Sequence, residues 1–585
     1  MITKLNQGKT AYRLIWPLLW SIVVGFSCYA DSESMQPAAL DYCGVRRLQA
    51  ADPNLDGSGV VIAAVCRSAT YRDGRPQDDY HFNMTHQAFS GGDVVFRDGS
   101  TGLSQVSAHS TAIGGILLGY DPGAYHPDLG PFFYKGICPS ASVDVYEFWR
   151  FLTLVVNQGK ALNADILTMS LGDLYEDWWT RGIEYLIDTE GILAVASAGN
   201  GTRAKHTVLY PAAGANVLAV GVLNADQISP QQYSLDSFNL PRPQSSSEGP
   251  TADQRCKPDL VAPGRCVVPA AYSPMDYEIR GDYSSLAAPV VAGAAALLTQ
   301  AAENDPNISP YFSRPGTNCL LKAILTASAC KLPWWHKGEA DADDDHTTVL
   351  DYRQGAGMLD AVKAYTVLTE GKNAEGSNGW DLNQIGPERS GEQGYRITAD
   401  PNVTHLAATL AWNRHYQSAF PFQPLYEIDR DLRLELWTDN SDEPTLIDYS
   451  DSPNDNLEHL YTPLDPNVSE YRLVVRFSNA GTTDSQAGET YAVAWTTGSD
   501  QTNDNRWWND LNDDGIVNVQ DQLLESIMDG KMQNPFGPKA MIHTLNISAE
   551  RLDLLNAQWQ KWKRHLGRWD EVLIPSAATA GSQTP

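Results

Sequence analysis

The chain has 585 residues, too many for a single hydrophobic core, so about three domains are expected. Its 16 Trp and 26 Tyr provide ample material for packed cores, which excludes a disordered chain. The net charge of −29 argues against nucleic acid and anionic membrane surfaces as partners. This acidic excess suits a soluble extracellular protein that binds calcium, although it fits equally well with a charge that serves only solubility.

A short basic and apolar segment begins the chain. Lys4, Lys9 and Arg13 precede an apolar run over 14–26, and small residues flank a candidate cleavage point after Ala30. This pattern is typical of a secretory signal peptide, and the run is short for a membrane span. We therefore expect residues 1–30 to be a signal peptide, with an uncleaved anchor as the alternative. Its removal would leave a secreted, extracellular or periplasmic protein.

No later stretch is expected to cross a bilayer, so we predict no transmembrane anchor after removal of the signal. Of the eight cysteines, Cys28 lies in the signal segment, which leaves seven. An odd number requires at least one thiol that is unpaired or paired between chains. Cys319 and Cys330 flank a helix-like segment about 16 Å long, which exceeds the reach of one disulfide. The disulfide pairing stays open.

Strand-like and helix-like apolar runs alternate between Gly57 and about Ala364. The runs of strand length are GVVIAAV, ASVDVYEF, ADILTMSLG, ILAVASAG and NVLAVGVLN. The helix-like runs are HSTAIGGILLGY, EDWWTRGIEYLIDTEG and SLAAPVVAGAAALLTQAA. This alternation predicts an α/β domain over 31–374, in which helices cover both faces of a parallel sheet.

The pattern changes after this region. The segment EGKNAEGSNG is typical of a linker. Short alternating segments then follow between about Tyr395 and Thr497, namely HLAATLAW, DLRLELW, LEHLYTPL, YRLVVRF and YAVAWTT. Because Asn, Asp, Pro and Gly separate these segments, they predict an antiparallel β-sandwich, assigned to 375–498.

The segment DLNDDGIVNVQD has the spacing of an EF-hand-type calcium loop. Its candidate ligands are Asp510, Asn512, Asp514, the carbonyl of Ile516, Asn518 and Asp521. Alternating oxygens let a short loop wrap around a hard cation, and an acidic turn without a metal is the alternative. An apolar helical stripe between Leu552 and Trp569 predicts a small helical module over 499–572. We expect a disordered tail over 573–585.

Three polar residues occur in settings that suit nucleophilic catalysis. His109 lies in SAHSTAIGGILLG, Asn200 in GILAVASAGN and Ser285 in DYSSLAAPVVAGAAALL. A serine hydroxyl becomes a good nucleophile when a base takes its proton, and the developing oxyanion needs preset donors. Ser285 begins a helix-like run, where its own N–H can help to bind an oxyanion. Taken alone, Ser285 also fits a helix N-cap, and His109 fits a core or surface histidine.

Together, these blocks resemble the subtilisin-like serine peptidase (subtilase) family over about 41–365. The resemblance implies a subtilisin-like fold in which Ser285 is the nucleophile and His109 is the general base. It also implies that the Asn200 side chain donates to the oxyanion. An extended peptide substrate would pair with Ser170, Leu171 and Gly172 like an added strand.

One position departs from the family in a way that matters for catalysis. The run GVVIAAVCRS places Cys66 where the family carries its catalytic Asp. A neutral thiol holds an imidazole weakly and cannot balance an imidazolium, so the resemblance implies an impaired enzyme. We expect Cys66 to be a buried apolar residue, with a thiolate and half of a disulfide as alternatives.

Other departures surround the same positions. Tyr283 and Ser284 replace a Gly-Thr pair before the nucleophile, and Tyr283 is expected to crowd the site. No carboxylate occupies the family's acid position. The nearby Asp73, Asp78, Asp79 and Asp282 are therefore expected to be solvated loop residues.

The leading hypothesis is a secreted subtilisin-like serine endopeptidase that acts on proteins or peptides, with reduced activity. The alternative is a catalytically inactive subtilase-fold protein that binds peptides or surfaces through its groove. A third hypothesis comes from the calcium loop, which resembles half of a dockerin and thereby implies a cohesin-like partner. Dockerins carry two such loops, and no second loop is found. The β-sandwich resembles the accessory domains of some secreted subtilases.

Overall fold

The computed structural model describes residues 35–498, except 68–70, 73–74, 77–78, 98–105, 202–207, 230, 313–314, 339–343, 373–374, 387–390, 402, 426–430, 440–442 and 479–487. The predicted signal peptide, calcium loop, helical module and tail lie outside the described residues.

The first part of the chain alternates strands and helices. In chain order its elements are β1 (Met35–Gln36), α1 (Ala39–Tyr42), α2 (Val45–Ala51), β2 (Val61–Cys66), β3 (Tyr71–Arg72), β4 (Arg75–Pro76), β5 (Asp93–Arg97), α3 (Ala108–Leu118), β6 (Tyr120–His126), β7 (Gly130–Lys135), β8 (Ser142–Glu147), α4 (Phe148–Phe151), β9 (Ile166–Met169), α5 (Trp178–Glu190), β10 (Leu193–Ser197), β11 (Leu218–Ser229), β12 (Gln232–Asn239), β13 (Leu260–Pro263), β14 (Cys266–Pro269), β15 (Tyr277–Arg280), α6 (Ser284–Asn304), α7 (Thr317–Ala327) and α8 (Ala361–Glu370). Short 3-10 turns cover Gln87–Phe89 and Ser309–Tyr311, and a π-helical turn covers Leu152–Asn157.

An eight-stranded sheet forms the centre of this part. Its order is β12-β11-β10-β9-β2-β8-β5, with β13 also paired to β11. The strand β12 is antiparallel to its neighbour, and the other pairs are parallel. Helices α3, α6, α7 and α8 pack on one face, and α4 and α5 pack on the other. The predicted α/β architecture with a parallel sheet is confirmed.

Burial on both faces explains the continuous apolar runs of the central strands. In β2, Ile62, Ala64 and Cys66 belong to the core under α3 and α6, whereas Ala63 and Val65 belong to the core on the α5 side. A strand that is buried on both faces loses the alternation of polar and apolar residues. These runs were therefore visible in the sequence.

The second part of the chain forms strands only. They are β16 (Asn378–Ile385), β17 (Glu392–Thr398), β18 (His405–Trp412), β19 (Leu432–Thr438), β20 (Leu446–Ser450), β21 (Leu457–Pro463), β22 (Glu470–Phe477) and β23 (Glu489–Gly498). Two four-stranded antiparallel sheets result, with orders β16-β23-β18-β21 and β17-β22-β19-β20. Side chains of both sheets share one core, which includes Trp412, Leu434 and Trp495.

The first of these sheets also packs against the helices of the α/β part. Trp380, Leu382 and Ala494 belong to the same hydrophobic core as α7 and α8. The Trp380 indole N–H donates to the carbonyl of Leu368, at 2.8 Å. The predicted linker is correspondingly short, because β16 already begins at Asn378. The two parts are joined by a shared core rather than by a free tether.

Helix α6 corrects the expectation that no later stretch could span a bilayer. Its 21 residues have a mean hydropathy of 1.5 over the most apolar window, which is sufficient by length and composition. Most of this window is buried inside the protein. The apolar character of α6 therefore reflects its place at the centre of the core, where Ala and Val residues let neighbouring elements approach closely.

Candidate active site

The carboxyl ends of parallel strands meet at one edge of the sheet, and most of the predicted site residues lie there. The strand β9 ends just before Ser170, and β10 ends just before the turn that carries Asn200. His109 and Ser285 are each the second residue of a helix, α3 and α6 respectively. Both helices begin at the edge of the sheet where β9 and β10 end. The fold therefore brings together residues that are far apart in the chain.

A cavity of about 480 Å³ opens at this edge. Its lining includes His109, Ser170, Leu171, Gly172, Asn200 and Ser285. Cys66 is not part of this lining, whereas the next residue, Arg67, is. The structure thus brings all the predicted catalytic and substrate-binding residues together, and Cys66 immediately precedes the lining residue Arg67.

Asn200 is held by the residue that precedes Ser285. The Ser284 backbone N–H donates to Asn200 Oδ1 at 2.8 Å, and the Ser284 hydroxyl donates to the same oxygen at 3.0 Å. The Gly199 N–H donates in turn to the Ser284 hydroxyl oxygen at 3.1 Å. Since a backbone N–H only donates, the assignment of Oδ1 is fixed. The Asn200 amide nitrogen is the group left to donate elsewhere.

Gly199 makes this turn possible. Its φ of +116° lies in the region that favours glycine, and an added Cβ would lie 2.5 Å from Ser247 Oγ. A larger residue would therefore push the chain away from Ser247 and move Asn200. The backbone conformation at Gly199 therefore explains why this block contains a glycine, which the sequence pattern alone does not show.

Ser285 is nearly buried, with 8 % of its surface exposed. Its carbonyl accepts a hydrogen bond from Ser170 Oγ at 2.7 Å, which ties the start of α6 to the end of β9. Among the described residues, no backbone acceptor faces the Ser285 N–H, as expected in the first turn of a helix. This N–H and the Asn200 amide are two donors of residues that line the same cavity.

The segment after β9 has an open backbone edge. Neither Leu171 nor Gly172 makes a backbone–backbone hydrogen bond with another described residue. Their peptide groups are therefore able to pair with an added extended chain. The fit to Leu209 is tight, because a Cβ on Gly172 would lie 2.6 Å from Leu209 Cβ.

His109 is half-buried at the start of α3. The helix begins with Ser107 as N-cap, whose Oγ accepts from the Ser110 N–H at 3.1 Å. The Ser107 N–H donates to the carbonyl of His81 at 2.9 Å. These bonds fix the helix start, and hence the direction from which His109 enters the cavity.

Cys66 is a buried free thiol with 3 % of its surface exposed. Burial raises the pKa of this thiol to about 12, although the neighbouring Ser110 hydroxyl opposes the rise. The contact with Ser110 is loose, because Ser110 Oγ makes no well-formed hydrogen bond. The disulfide alternative is therefore wrong, and the raised pKa argues against the thiolate. In the part of the chain that the structure describes, no disulfide joins the cysteines from Cys43 to Cys319.

A buried carboxylate, that of Glu147, lies beside this thiol, and the carboxylate of Asp79 is close enough to act on Glu147. The register of β2 and β8 places Glu147 beside Cys66. Burial raises the pKa of the Glu147 carboxyl, and the charge of Asp79 adds to this rise. Asp79 itself is 1 % exposed, so the expectation of a solvated loop residue is wrong for it. The segment that follows Asp79 packs against α3, as the bond from the Asn83 N–H to Thr111 Oγ1 shows.

Asp282 is also bound rather than solvated. Its carboxylate lies 3.2 Å from an Arg265 guanidinium nitrogen, and it accepts a hydrogen bond from the Ala225 N–H at 3.1 Å. The expectation of a free loop carboxylate is therefore wrong for Asp282 too. Asp73 and Asp78 lie outside the described residues. Tyr283 is 48 % exposed and lines the cavity, which remains open beside it.

Comparisons with known proteins agree with this geometry. The chain matches the profile of the subtilase family, Peptidase_S8, over residues 83–357. This segment is a subtilase domain. The matched range contains His109, Asn200 and Ser285, and it ends after α7.

Several curated serine peptidases are similar to parts of the chain. The serine protease AprX of Bacillus subtilis is 30 % identical over 167 residues, which cover 25 % of this chain and 35 % of AprX. A subtilisin of Bacillus sp. strain TA39 is 28 % identical over 197 residues, which cover 32 % of this chain and 46 % of the subtilisin. Tripeptidyl-peptidase 2 of Arabidopsis thaliana is 26 % identical over 336 residues, which cover 52 % of this chain and 22 % of the peptidase. Less than half of each relative is matched.

Sequence reasoning missed several residues of the subtilase domain. It gave Ser284 no role beyond a departure from the family, yet Ser284 is the anchor of Asn200. It did not single out Arg67 or Arg280, which both line the cavity. The adjacency of Arg67 to Cys66 was a usable signal, whereas nothing local marked Arg280. Among the described residues, no group of three or more His, Cys, Asp or Glu is placed to hold a metal ion.

Proposed function

We propose that this protein is a secreted serine endopeptidase that hydrolyses peptide bonds with Ser285 as nucleophile and His109 as general base. The observation that carries the proposal is the anchoring of Asn200 by Ser284. This network presents an amide donor beside a serine hydroxyl at a helix N-terminus, which is the arrangement that acyl transfer requires. The presence of a subtilase domain supports a serine peptidase and a protein or peptide substrate.

The residues would act in a fixed order. His109 takes the proton of the Ser285 hydroxyl as its oxygen attacks the peptide carbonyl. The Asn200 amide and the Ser285 N–H stabilise the oxyanion. The C–N bond then breaks, and His109 returns the proton to the leaving amine. A water molecule, deprotonated by His109, cleaves the resulting ester and restores Ser285. Ser170, Leu171 and Gly172 hold the substrate as an added strand.

Cys66 limits the rate of this cycle. A neutral thiol cannot stabilise the imidazolium that forms when His109 accepts the proton. In subtilisin and similar enzymes, loss of the acid costs about 10⁴-fold, and a penalty of that order is expected here. Asp79 and Glu147 lie near the vacant acid position, but neither is at the end of β2. The proposed enzyme is therefore impaired rather than fully active.

A fluorophosphonate probe tests the proposal, because it reacts with activated serines. Labelling is expected at Ser285, identified by mass spectrometry of the modified peptide. His109→Ala should abolish the labelling, and Ser285→Ala controls for reaction elsewhere. A wild-type protein that stays unlabelled after long exposure would refute the catalytic assignment.

The second candidate is a catalytically inactive subtilase-fold protein that binds peptides or surfaces. The specific observation in its favour is the burial of the Cys66 thiol, which raises its pKa. Under this hypothesis the open backbone of Leu171 and Gly172 still binds extended peptides. Peptide binding without labelling of Ser285 would support it.

The remaining parts of the proposal rest on sequence. Residues 1–30 would direct export, and the two-sheet part over 375–498 would be an accessory β-sandwich. The loop over 510–521 would bind one calcium ion through its alternating oxygens. A cohesin-like partner would recognise this module.

A further inference from the structure

The charges around the active-site cavity are one-sided. Arg67 and Arg280 line it, and its described lining contains neither Asp nor Glu. The chain as a whole carries a net charge of −29, so the basic character of this described lining runs against its composition. Charge that departs locally from the overall balance is a feature that electrostatic selection of a ligand produces.

The positive charge of Arg67 is less neutralised by nearby carboxylates than that of Arg280. It follows directly after β2 and is half-buried at the cavity. No ion pair joins its guanidinium to a residue that the structure describes. A partly buried arginine without a carboxylate partner has donors available for a bound anion.

Arg280 is partly compensated. Its Nε and one terminal nitrogen each lie 2.8 Å from Glu278 Oε1, two residues earlier on β15. This pair leaves further N–H donors of the guanidinium, and Glu278 is not part of the cavity lining. The pair therefore orients the guanidinium without placing a carboxylate inside the cavity.

We propose that Arg67 and Arg280 select peptide substrates that carry a carboxylate close to the bond bound at Ser285. The inference rests on the proposed function for the location of the scissile bond, and it adds the substrate class. Guanidinium groups bind carboxylates through paired N–H···O bonds, which makes an acidic residue a better occupant than its amide. The carboxylate comes either from an acidic side chain or from the free end of the peptide.

Binding to the Ser285→Ala protein tests this selection without requiring turnover. Fluorescent peptides with an amidated end are compared in two forms, one with Glu and one with Gln around the central bond. The Glu peptide should bind about tenfold more tightly, and rising salt should reduce this advantage. A third peptide, with Gln and a free carboxyl end, distinguishes the two sources. An advantage confined to it assigns recognition to the chain end, and equal affinity of all three overturns the proposal.

Variants in the same background locate the effect. Arg67→Gln and Arg280→Gln should each lower the affinity for the Glu peptide by about tenfold and leave the Gln peptide unaffected. Arg67→Lys keeps the charge and should retain part of the preference, which guards against misfolding. Arg396→Gln is the matched control, because Arg396 forms an exposed ion pair with Asp439 on β17, away from the cavity lining. Equal losses for both peptides, or a loss with Arg396→Gln, would contradict the assignment.

The outcome is separable from the test of the proposed function. If the protein binds Glu peptides selectively but Ser285 is never labelled, the proposed substrate selection stands and the proposed catalysis is refuted. Labelling of Ser285 without any carboxylate preference would do the reverse.

Discussion

The backbone N–H of Ser284 lies 2.8 Å from Oδ1 of Asn200, so the residue before the proposed nucleophile orients the proposed oxyanion donor. The hydroxyl of Ser284 adds a second bond to the same oxygen. Two donors on one acceptor restrict rotation of the amide. Ser284 therefore holds Asn200 through both its backbone and its side chain.

Removal of the Ser284 hydroxyl should loosen this amide. We expect Ser284→Ala to lower turnover of a peptide ester by about tenfold, because one neutral hydrogen bond is lost. Ser284→Thr keeps the hydroxyl and is the matched control. Steady-state rates at saturating ester give the comparison. Identical rates for the alanine and threonine variants would show that the backbone bond alone holds Asn200.

Removal of Asn200 itself should have a larger effect. Asn200→Ala is expected to lower turnover by about 10²- to 10³-fold, the range found for the oxyanion donor of subtilisin itself. Labelling of Ser285 should slow while the KM changes little, since the donor acts on the transition state. A rise in KM at constant turnover would indicate a role in ground-state binding instead.

Substitution of Cys66 tests the missing acid directly. Cys66→Asp should raise turnover by up to about 10³-fold, because a carboxylate at the end of β2 holds and balances the imidazolium of His109. The site is buried beside Glu147, so the new carboxylate is expected to lower the thermal stability. Cys66→Asn has a similar shape without the charge and is the control. A stable aspartate variant no faster than the asparagine variant would favour the peptide-binding protein.

His415 should make the stability of the protein depend on pH. Burial alone would lower its pKa, but hydrogen bonds with Asp188 and Glu489 outweigh burial and raise the pKa to about 10. A raised pKa stabilises the folded state fully below the unfolded value of about 6.5, and this contribution disappears as the pH rises through about 10.

We therefore expect His415→Gln to lower the free energy of unfolding by about 2 kcal/mol at pH 6 and by much less above pH 10. Urea denaturation at both pH values measures this difference. His126→Gln, at a half-buried histidine on β6, is the control. A loss that does not change with pH would mean that His415 contributes by packing alone.

Calcium should protect the C-terminal segment from proteolysis. The double substitution Asp510→Ala and Asp514→Ala removes two candidate ligands, so calcium should no longer slow cleavage after Asn503. Asp128→Ala, at an exposed aspartate between β6 and β7, controls for the loss of an acidic side chain elsewhere in the protein. Digestion patterns that are the same with calcium and with a chelator would reduce the loop to a turn.

Prediction from the sequence succeeded where the burial of a segment is reflected in the composition of that segment. The strands β2, β8, β9, β10 and β11 contain apolar runs because both faces of the sheet are covered there, and these runs were recognised. The strands β16 and β17 were missed, since NGWDLNQI and EQGYRIT are rich in polar residues. Their partners, rather than their composition, make them strands.

The residues of the candidate site also divide into those that the sequence identifies and those that only the fold brings to the site. His109, Asn200 and Ser285 lie in long recognisable blocks, whereas Asp79 sits in a polar segment that is typical of a loop. Asp79 lies close enough to Glu147 for their charges to interact, and Glu147 ends β8, which follows much later in the chain. Arg67 and Arg280 are brought to the same cavity only by the fold, so their positions in the sequence do not predict that they lie there together.

The sheet formed by β16, β23, β18 and β21 determines where the protein can be truncated. Alternate residues of β23 enter different cores, with Ala492 and Ala494 against the helices and Val493 and Trp495 against the second sheet. A protein that stops at the end of α8 would expose the helical surface that Trp380, Leu382 and Ala411 now cover. Such a fragment should be insoluble, although it would retain every residue of the cavity. The peptidase unit that can be expressed and assayed therefore extends to about Gly498.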